Sequence, residues 1–342
     1  MSANTAPGVP LAAAPLKLKT LVTRVFVRAG ILPWFLISCV LLLTLTTDSF
    51  LTGSNISTVA RQATYLILAA VAQMLVLLTR GLDLSIGTMF AMGSVVTSMA
   101  MVATSPMGPA AAIALGMGAG MATCLVIGAA NGIGVAYFNV PPFVMTLAMS
   151  SIVSGLAFYS TGGTPVYGLP YEFSEIFGYG KLFGIAVPVI VTAAVLVLVH
   201  LYVSWTRAGR YLYAIGGNPK ASELSGIDTK FNLFMTYVVS SGITGISALL
   251  LTARLESGES NIGVEYPLMS IAACAIGGVS LFGGIGKLGN VVLGAVFIIF
   301  VQNGMNLLQL NSYLQMVVIG LLLILAIVAD NYRLKLLARM AD

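Results

Sequence analysis

Residues 131–147 read NGIGVAYFNVPPFVMTL, and residues 303–319 read NGMNLLQLNSYLQMVVI. Both stretches open on Asn-Gly near the end of an apolar run. Both place a second asparagine eight positions on, at Asn139 and Asn311, and then enter another apolar run. The offset between them is 172 residues. Carried backwards, the same offset sets TRGLDLSIG at 79–87 against TARLESGESNIG at 252–263, with a small insertion. The chain therefore reads as two related halves, and the runs between these landmarks decide what kind of halves they are.

The runs are too apolar for a water-soluble core. Of 342 residues, 58% are hydrophobic and 8% charged, where soluble domains carry about 25% charged residues. Most of the chain must have lipid as its solvent. Ten spans are expected, over 30–47, 61–79, 87–104, 109–130, 141–158, 184–205, 232–252, 267–281, 289–308 and 314–331. The first is short at its clear edges, and the eighth is short and glycine-rich, so these two have the softest boundaries. Spans four and five match spans nine and ten. An offset of five spans is odd, which gives the copies opposite orientations, the inverted repeat of many transporters. The fold class expected is an all-α polytopic membrane protein of about ten transmembrane helices. Its transmembrane domain covers 30–331, between tails at 1–29 and 332–342.

Charge sets the orientation. With both termini in the cytoplasm, 13 of the 16 Lys and Arg residues fall inside, leaving Arg61, Lys181 and Arg254 outside. The positive-inside rule therefore favours N-in, C-in. Asp48, Glu172, Glu175, Glu256, Glu259 and Glu265 all fall outside. Acids weigh little in topology, but Glu256, Glu259 and Glu265 also suit an acidic face that docks a basic soluble partner. The net charge of +5 does not imply nucleic acid, because the basic residues are scattered through short loops. The first thirty residues lack the pattern of a removable signal peptide, and 1–16 reads as a disordered tail. Cys39, Cys124 and Cys274 each sit in an apolar run and read as small buried hydrophobes. With one histidine, His200 at an inner span end, no metal site is expected.

Several patterns are packing or decoy signals. Gly116, Gly120, Gly128 and Gly132 line one face of span four, where backbones can approach closely. GGIGKLG at 283–289 contains Gly-x-Gly-x-x-Gly, but it lies between two apolar spans without a preceding strand, and Leu288 follows its lysine. It reads as a short inner turn. Asn55-Ile56-Ser57 is a glycosylation triplet by pattern alone.

The deep side chains that remain polar are uncharged. They are Gln73, Asn131, Thr146, Gln302, Asn303 and Asn306, with Tyr65, Phe143 and Phe158 as nearby aromatics. For each amide alone, hydrogen bonding between helices is the plainer role. As a set they favour a neutral polyhydroxyl solute over a lipid. The deep spans hold almost no carboxylate or histidine, which disfavours ion coupling. Arg80, Asp83 and Ser85 sit in RGLDLS at an inner span end, either as a local ion pair or as a broken segment shaping the inner mouth of a path.

Between spans six and seven, the cytoplasmic loop 206–230 contains YAIGGNPKASELSGIDTK at 213–230. Gly216 and Gly217 are expected to break the chain, Asn218 to cap a helix and Pro219 to start it. KASEL supplies about one and a half turns, and Gly226 ends them. A loop needs none of this to join two spans. A rigid exposed helix is something a motor subunit can push against.

GRYLYAIGGNPKASELSGI resembles the cytoplasmic loop of permease subunits of ribose-type ABC monosaccharide importers. RGLDLSIGTMFAMGS at 80–94, NVPPFVMTLAMSSIVSG at 139–155, and AIGGVSLFGGIGKLGNVVLGA at 275–295 with the NGMNLLQL run after it resemble the same family. The resemblance covers nearly the whole chain from about residue 30. It implies a bacterial inner-membrane homodimer, a cytoplasmic ATPase and a periplasmic sugar-binding protein. ATP and magnesium would sit on the ATPase, with no cofactor and no enzymatic step on this chain. The stretch 213–230, a polar island between apolar runs, then looks like the coupling helix, with Gly216, Gly217, Asn218, Ala221, Ser225 and Gly226 as its contact residues. Pro219-Lys220 departs from the acidic or small residues expected there, but it suits a helix start. The rivals are a branched-chain amino acid permease of the same machinery, an ion-driven carrier, and a membrane receptor with no flux.

Overall fold

The computed structural model of this protein describes residues 32–322 together with 324, 325 and 328. The expected tails at 1–29 and 332–342 lie outside the described residues. Within the described residues each expected span overlaps a helix, although the eighth, 267–281, outlasts its helix by five residues. Among the described residues, seven helices are long and apolar enough to cross a bilayer: α2 (Gly53–Leu78), α3 (Ile86–Ala103), α4 (Pro109–Ala136), α5 (Pro142–Thr161), α6 (Val187–Trp205), α9 (Thr229–Leu255) and α11 (Leu288–Leu307). Three further apolar helices have fewer described residues: α1 (Leu32–Thr46), α10 (Tyr266–Ile276) and α12 (Ser312–Leu322), of which α1 and α12 border residues outside the description. Two more, α7 (Arg207–Gly217) and α8 (Pro219–Leu224), occupy the loop after α6.

The boundaries follow from local chemistry. Proline occupies the first turn of α4, α5 and α6, where its missing N–H costs nothing. Thr52 Oγ1 accepts from Asn55 N at 3.3 Å and caps α2. The α5 helix ends on Gly162, whose φ of +62° suits a left-handed cap.

At the centre stands α2, with every residue from Ala63 to Thr79 buried. A helix apolar on all sides has no solvent face to offer, so it becomes the core. It packs on α6, α9, α10 and α11. The other contacts form a pattern of exchange. The α9 helix packs on α3 and α4 as α2 packs on α10 and α11. The α3 helix packs on α4 as α10 packs on α11, and the pairs α2–α9 and α3–α10 touch directly. Swapping α2, α3 and α4 for α9, α10 and α11 thus maps these contacts onto themselves.

The glycine stripe of α4 faces two helices. A Cβ at Gly116 would meet Thr97 O at 2.8 Å, and one at Gly120 would meet Gly93 O at 2.9 Å, both on α3. A Cβ at Gly128 would meet Ser241, and one at Gly132 would meet Phe234 O at 2.9 Å, both on α9. The stripe therefore lets two neighbours close on α4 along its length.

A segment of mixed structure joins α5 to α6. It holds helical turns at Tyr171–Phe173 and Ser174–Gly178 and a small hairpin of β1 (Lys181–Leu182) and β2 (Ile185–Ala186). It folds over the end of α9, where Arg254 lies 5.0 Å from the Tyr179 ring centre and Tyr179 Oη donates to Arg254 O at 3.1 Å. No periodicity in the sequence announced this cover.

Candidate functional site

The polar island is two capped helices. Thr206 Oγ1 accepts from Gly209 N at 3.0 Å and starts α7. Asn218 Oδ1 accepts from Ala221 N at 3.0 Å and starts α8, with Pro219 in the first turn. Gly226 closes α8 at φ +81° and donates its N–H to Glu223 O at 3.0 Å. Ser225 Oγ donates to Ala221 O at 2.8 Å. Residues 217–221 and 223–226 are exposed, and Leu224 is 79% exposed at the tip. Lys220 and Glu223 pair at 3.0 Å across one turn.

The glycine pair behaves differently from the expected break. The α7 helix runs through Gly216 and Gly217, and the chain turns at Asn218, whose φ is −155°. Gly216 is buried, and a Cβ there would meet Leu78 O and Gly284 N. Its glycine serves close approach to the end of α2. A Cβ at Gly217 would meet nothing within 4 Å.

Around that contact, three segments lock together. Arg80, at φ +64°, donates from Nε to Gly216 O at 2.6 Å and from Nη2 to Gly217 O at 2.7 Å. These are the last two residues of α7, where the helix dipole is negative and a cation is favoured. Gly284 N donates to Leu78 O at 3.0 Å, and Tyr213 Oη donates to Gly286 O at 3.0 Å. Burial pushes the Tyr213 phenol up and keeps it a donor. The 283–286 turn, with Gly283 and Gly284 both at positive φ, is a packing surface for α7.

Arg80 does not pair with Asp83. Among the described residues the one side-chain ion pair is Lys220–Glu223. Asp83 is fully buried, and its Oδ1 accepts from Ser85 N at 2.8 Å and Ser85 Oγ at 2.6 Å. Ser85 Oγ in turn accepts from Asn131 Nδ2 at 2.8 Å. With its amide turned to match donors to acceptors, Gln73 donates to Asp83 O at 3.0 Å and accepts from Asp83 N at 3.3 Å. Thr146 Oγ1 accepts from Leu84 N at 3.1 Å and lies 3.1 Å from Leu82 O. The segment between α2 and α3 is thus fastened to α2, α4 and α5 by Gln73, Asn131 and Thr146.

The other residues singled out from the sequence are dispersed. Asn303 and Asn55 exchange two hydrogen bonds, 2.8 and 2.9 Å, which tie α11 to the start of α2. Asn306 Oδ1 accepts from Gln315 Nε2 at 2.9 Å. Phe143 and Phe158 are exposed on α5. Gln302 Nε2 reaches only Met269 Sδ, at 3.9 Å. Glu256 caps α9 at φ +59°, and Glu259 accepts from Ser257 Oγ at 2.8 Å. Glu265 precedes α10, beside Tyr266. Asn55, which the sequence marks only as part of a glycosylation triplet, reaches Asn303 across 248 residues.

The family model for the branched-chain amino acid transport system / permease component matches residues 55–327. The D-allose transport system permease protein of Escherichia coli is 33% identical over 287 residues, 84% of this chain and 86% of that one. The ribose import permease protein of Bacillus subtilis is 34% identical over 293 residues, 85% and 89% of the two chains. The L-arabinose transport system permease protein of Escherichia coli is 34% identical over 253 residues, 74% and 75%. No solved structure gives a significant match.

Proposed function

The chain belongs to this permease family as a multi-pass inner-membrane protein, and from that premise we propose that it is the membrane subunit of an ATP-driven monosaccharide importer. Two copies enclose the path, and a separate ATPase seats α8 on the cytoplasmic side. A periplasmic binding protein delivers a pentose or hexose to the outer side, where Glu256 and Glu259 meet it. Both termini are cytoplasmic. The exchange symmetry of α2–α4 with α9–α11 supports an inverted repeat whose halves rock against one another in alternating access.

One observation carries the reading. The exposed, doubly capped α8 follows α7 after a single turn residue, and Arg80 and Gly216 bind the end of α7 to the end of α2. A push on α8 thus has a route through α7 to Arg80, three residues before the buried Asp83–Ser85–Asn131 junction. Gly217, Asn218, Ala221, Ser225 and Gly226 present the contact surface, and Arg80, Asp83 and Ser85 form the inner gate. The sugar class rests on the relatives named above.

The test is affinity purification from native membranes in mild detergent, with mass spectrometry of what accompanies the chain. A co-purifying ATPase with a phosphate loop supports the reading, and the accompanying periplasmic protein is then screened for its ligand. An amino acid as that ligand moves the assignment to the other branch named in the family description. Absence of any ATPase after gentle cross-linking refutes the importer. Uptake that collapses with an ion gradient while ATP persists would then assign an ion-driven carrier.

A further inference from the structure

The segment between α9 and α10 does not stay at the membrane surface. Gly258 exchanges backbone hydrogen bonds with Val166 in the outer cover, both at 2.9 Å. A Cβ on Gly258 would meet Ser98 of α3. Glu259 N then donates to Ser94 Oγ at 3.2 Å. Gly263 lies so close to Gly87 that a Cβ on either would meet the other's carbonyl. The Tyr266 ring stacks on Phe90 at 4.5 Å and 11°. The contacts step down α3 from Ser98 to Gly87, a descent of about 16 Å at 1.5 Å per residue.

Two helices give the depth independently. Phe90 is thirteen residues from the end of α3, and Leu66 is thirteen from the start of α2. Each lies about 20 Å from the outer helix end, near the middle of a hydrocarbon layer about 30 Å thick. Glu265 and Tyr266 are at that depth. Irregular backbone is tolerated there only when it is buried in protein or lines a water-filled cavity.

A cavity of about 300 Å³ opens beside this segment. Its polar wall is Asn261, Glu265, Tyr266 and Gln302, and its apolar floor includes Leu66 and Ile299. Glu265 is exposed on this chain and has no cationic partner among the described residues. A bare carboxylate at this depth is costly against lipid, so this face borders water. The Gln302 amide has only the weak thioether contact, which leaves it able to both donate and accept.

From this arrangement we propose that the cavity is a solute-binding station half way along the path. It takes one neutral polyhydroxyl ring of monosaccharide size, with Glu265 as the specificity-determining acceptor for its hydroxyls. The carboxylate repels anions, the amides read hydroxyl direction, and the apolar floor takes the C–H face of the ring. The size matches the lower end of small-ligand pockets, which suits one ring better than two. The proposal deepens the importer reading and rests on it.

The test uses the full chain in lipid nanodiscs, with Cys39→Ala, Cys124→Ala and Cys274→Ala, and Val264→Cys as the probe. Val264 lines the cavity and is 74% exposed. A small hydrophilic methanethiosulfonate is expected to modify it. At about twice its Kd, one member of a panel of neutral aldopentoses and aldohexoses is expected to slow modification about threefold, by simple occupancy. Adding Glu265→Gln should raise the protecting concentration about tenfold, the loss of one charged hydrogen bond. No modification of Val264→Cys, or modification that no panel sugar slows, overturns the proposal. Unchanged protection in Glu265→Gln removes the role given to Glu265. Co-purification of an ATPase is a separate result, so a failure of the station is distinguishable from a failure of the importer reading.

Discussion

Replacing Arg80 separates mechanical coupling from folding. Its guanidinium makes one part-buried and one exposed hydrogen bond to the final carbonyls of α7. A part-buried bond to a charged group is worth about 1.5 kcal/mol, and an exposed one much less. The dipole term adds about 0.3 kcal/mol or more at a helix end. Arg80→Ala should therefore weaken the hold of α7 on α2 by about 2 kcal/mol, roughly a 30-fold shift in that local equilibrium. The backbone at Arg80 is left-handed, which costs a non-glycine residue about 1 kcal/mol. Arg80→Gly loses the same hydrogen bonds but recovers that strain. Its thermal stability should thus exceed that of Arg80→Ala, while both variants lose coupling. The assay is ATP hydrolysed per solute moved, in proteoliposomes holding the complete transporter. Both variants should assemble normally and raise that ratio severalfold. A wild-type ratio in Arg80→Ala, or coupling restored in Arg80→Gly, would refute the clamp.

The remaining predictions concern the island and the outer rim. Gly216→Ala drives a Cβ into Leu78 O and should cost about 1–3 kcal/mol as overpacking, whereas Gly217→Ala should be tolerated; melting temperatures in detergent distinguish them. Asn218→Ala removes the cap of α8, worth about 1 kcal/mol, and should accelerate hydrogen exchange over 219–224, with Asn218→Asp restoring protection. Gly226→Asp places a charge on the exposed turn at positive φ and should uncouple transport without lowering membrane insertion; normal uptake by the stably inserted variant would count against the coupling role. Reversing Glu256 and Glu259 to Lys should weaken binding-protein docking by a few fold, as for exposed ion pairs, and unchanged affinity would remove the acidic rim from the docking surface.

Most of what was legible in the sequence was local. Asn218-Pro219 and Gly226 announce a helix because capping needs only neighbours within one turn. The expected repeat rests on an offset of 172 residues in Asn-Gly and Asn, and the contact exchange of α2–α4 with α9–α11 follows the same offset. Gly216 was misread because a chain break and a close approach ask for the same residue, and only Leu78 and Gly284 distinguish them. The deep amides stood out as polar, but their partners lie 46 residues away for Asn131 and 248 for Asn303. Glu265 was placed with the outer acids because an acid between spans reads as surface. The depth proposed for it rests on contacts of the 258–266 segment with α3, which no local pattern encodes.

The central position of α2 also bears on how the protein is made. The helices that bury its second half belong to the other half of the chain, and α9 is complete only at Leu255. At about 5–20 residues per second, synthesis leaves α2 waiting roughly 10–35 s for that partner. During that interval its neighbours are lipid and the insertion machinery. A helix that later becomes the core must first be acceptable as a lone membrane span. The apolar run Ala63–Leu78, broken among its side chains by little more than Thr64 and Gln73, meets both conditions. Adding a charge within that run should therefore show first as a failure of biogenesis, before any defect in the finished transporter.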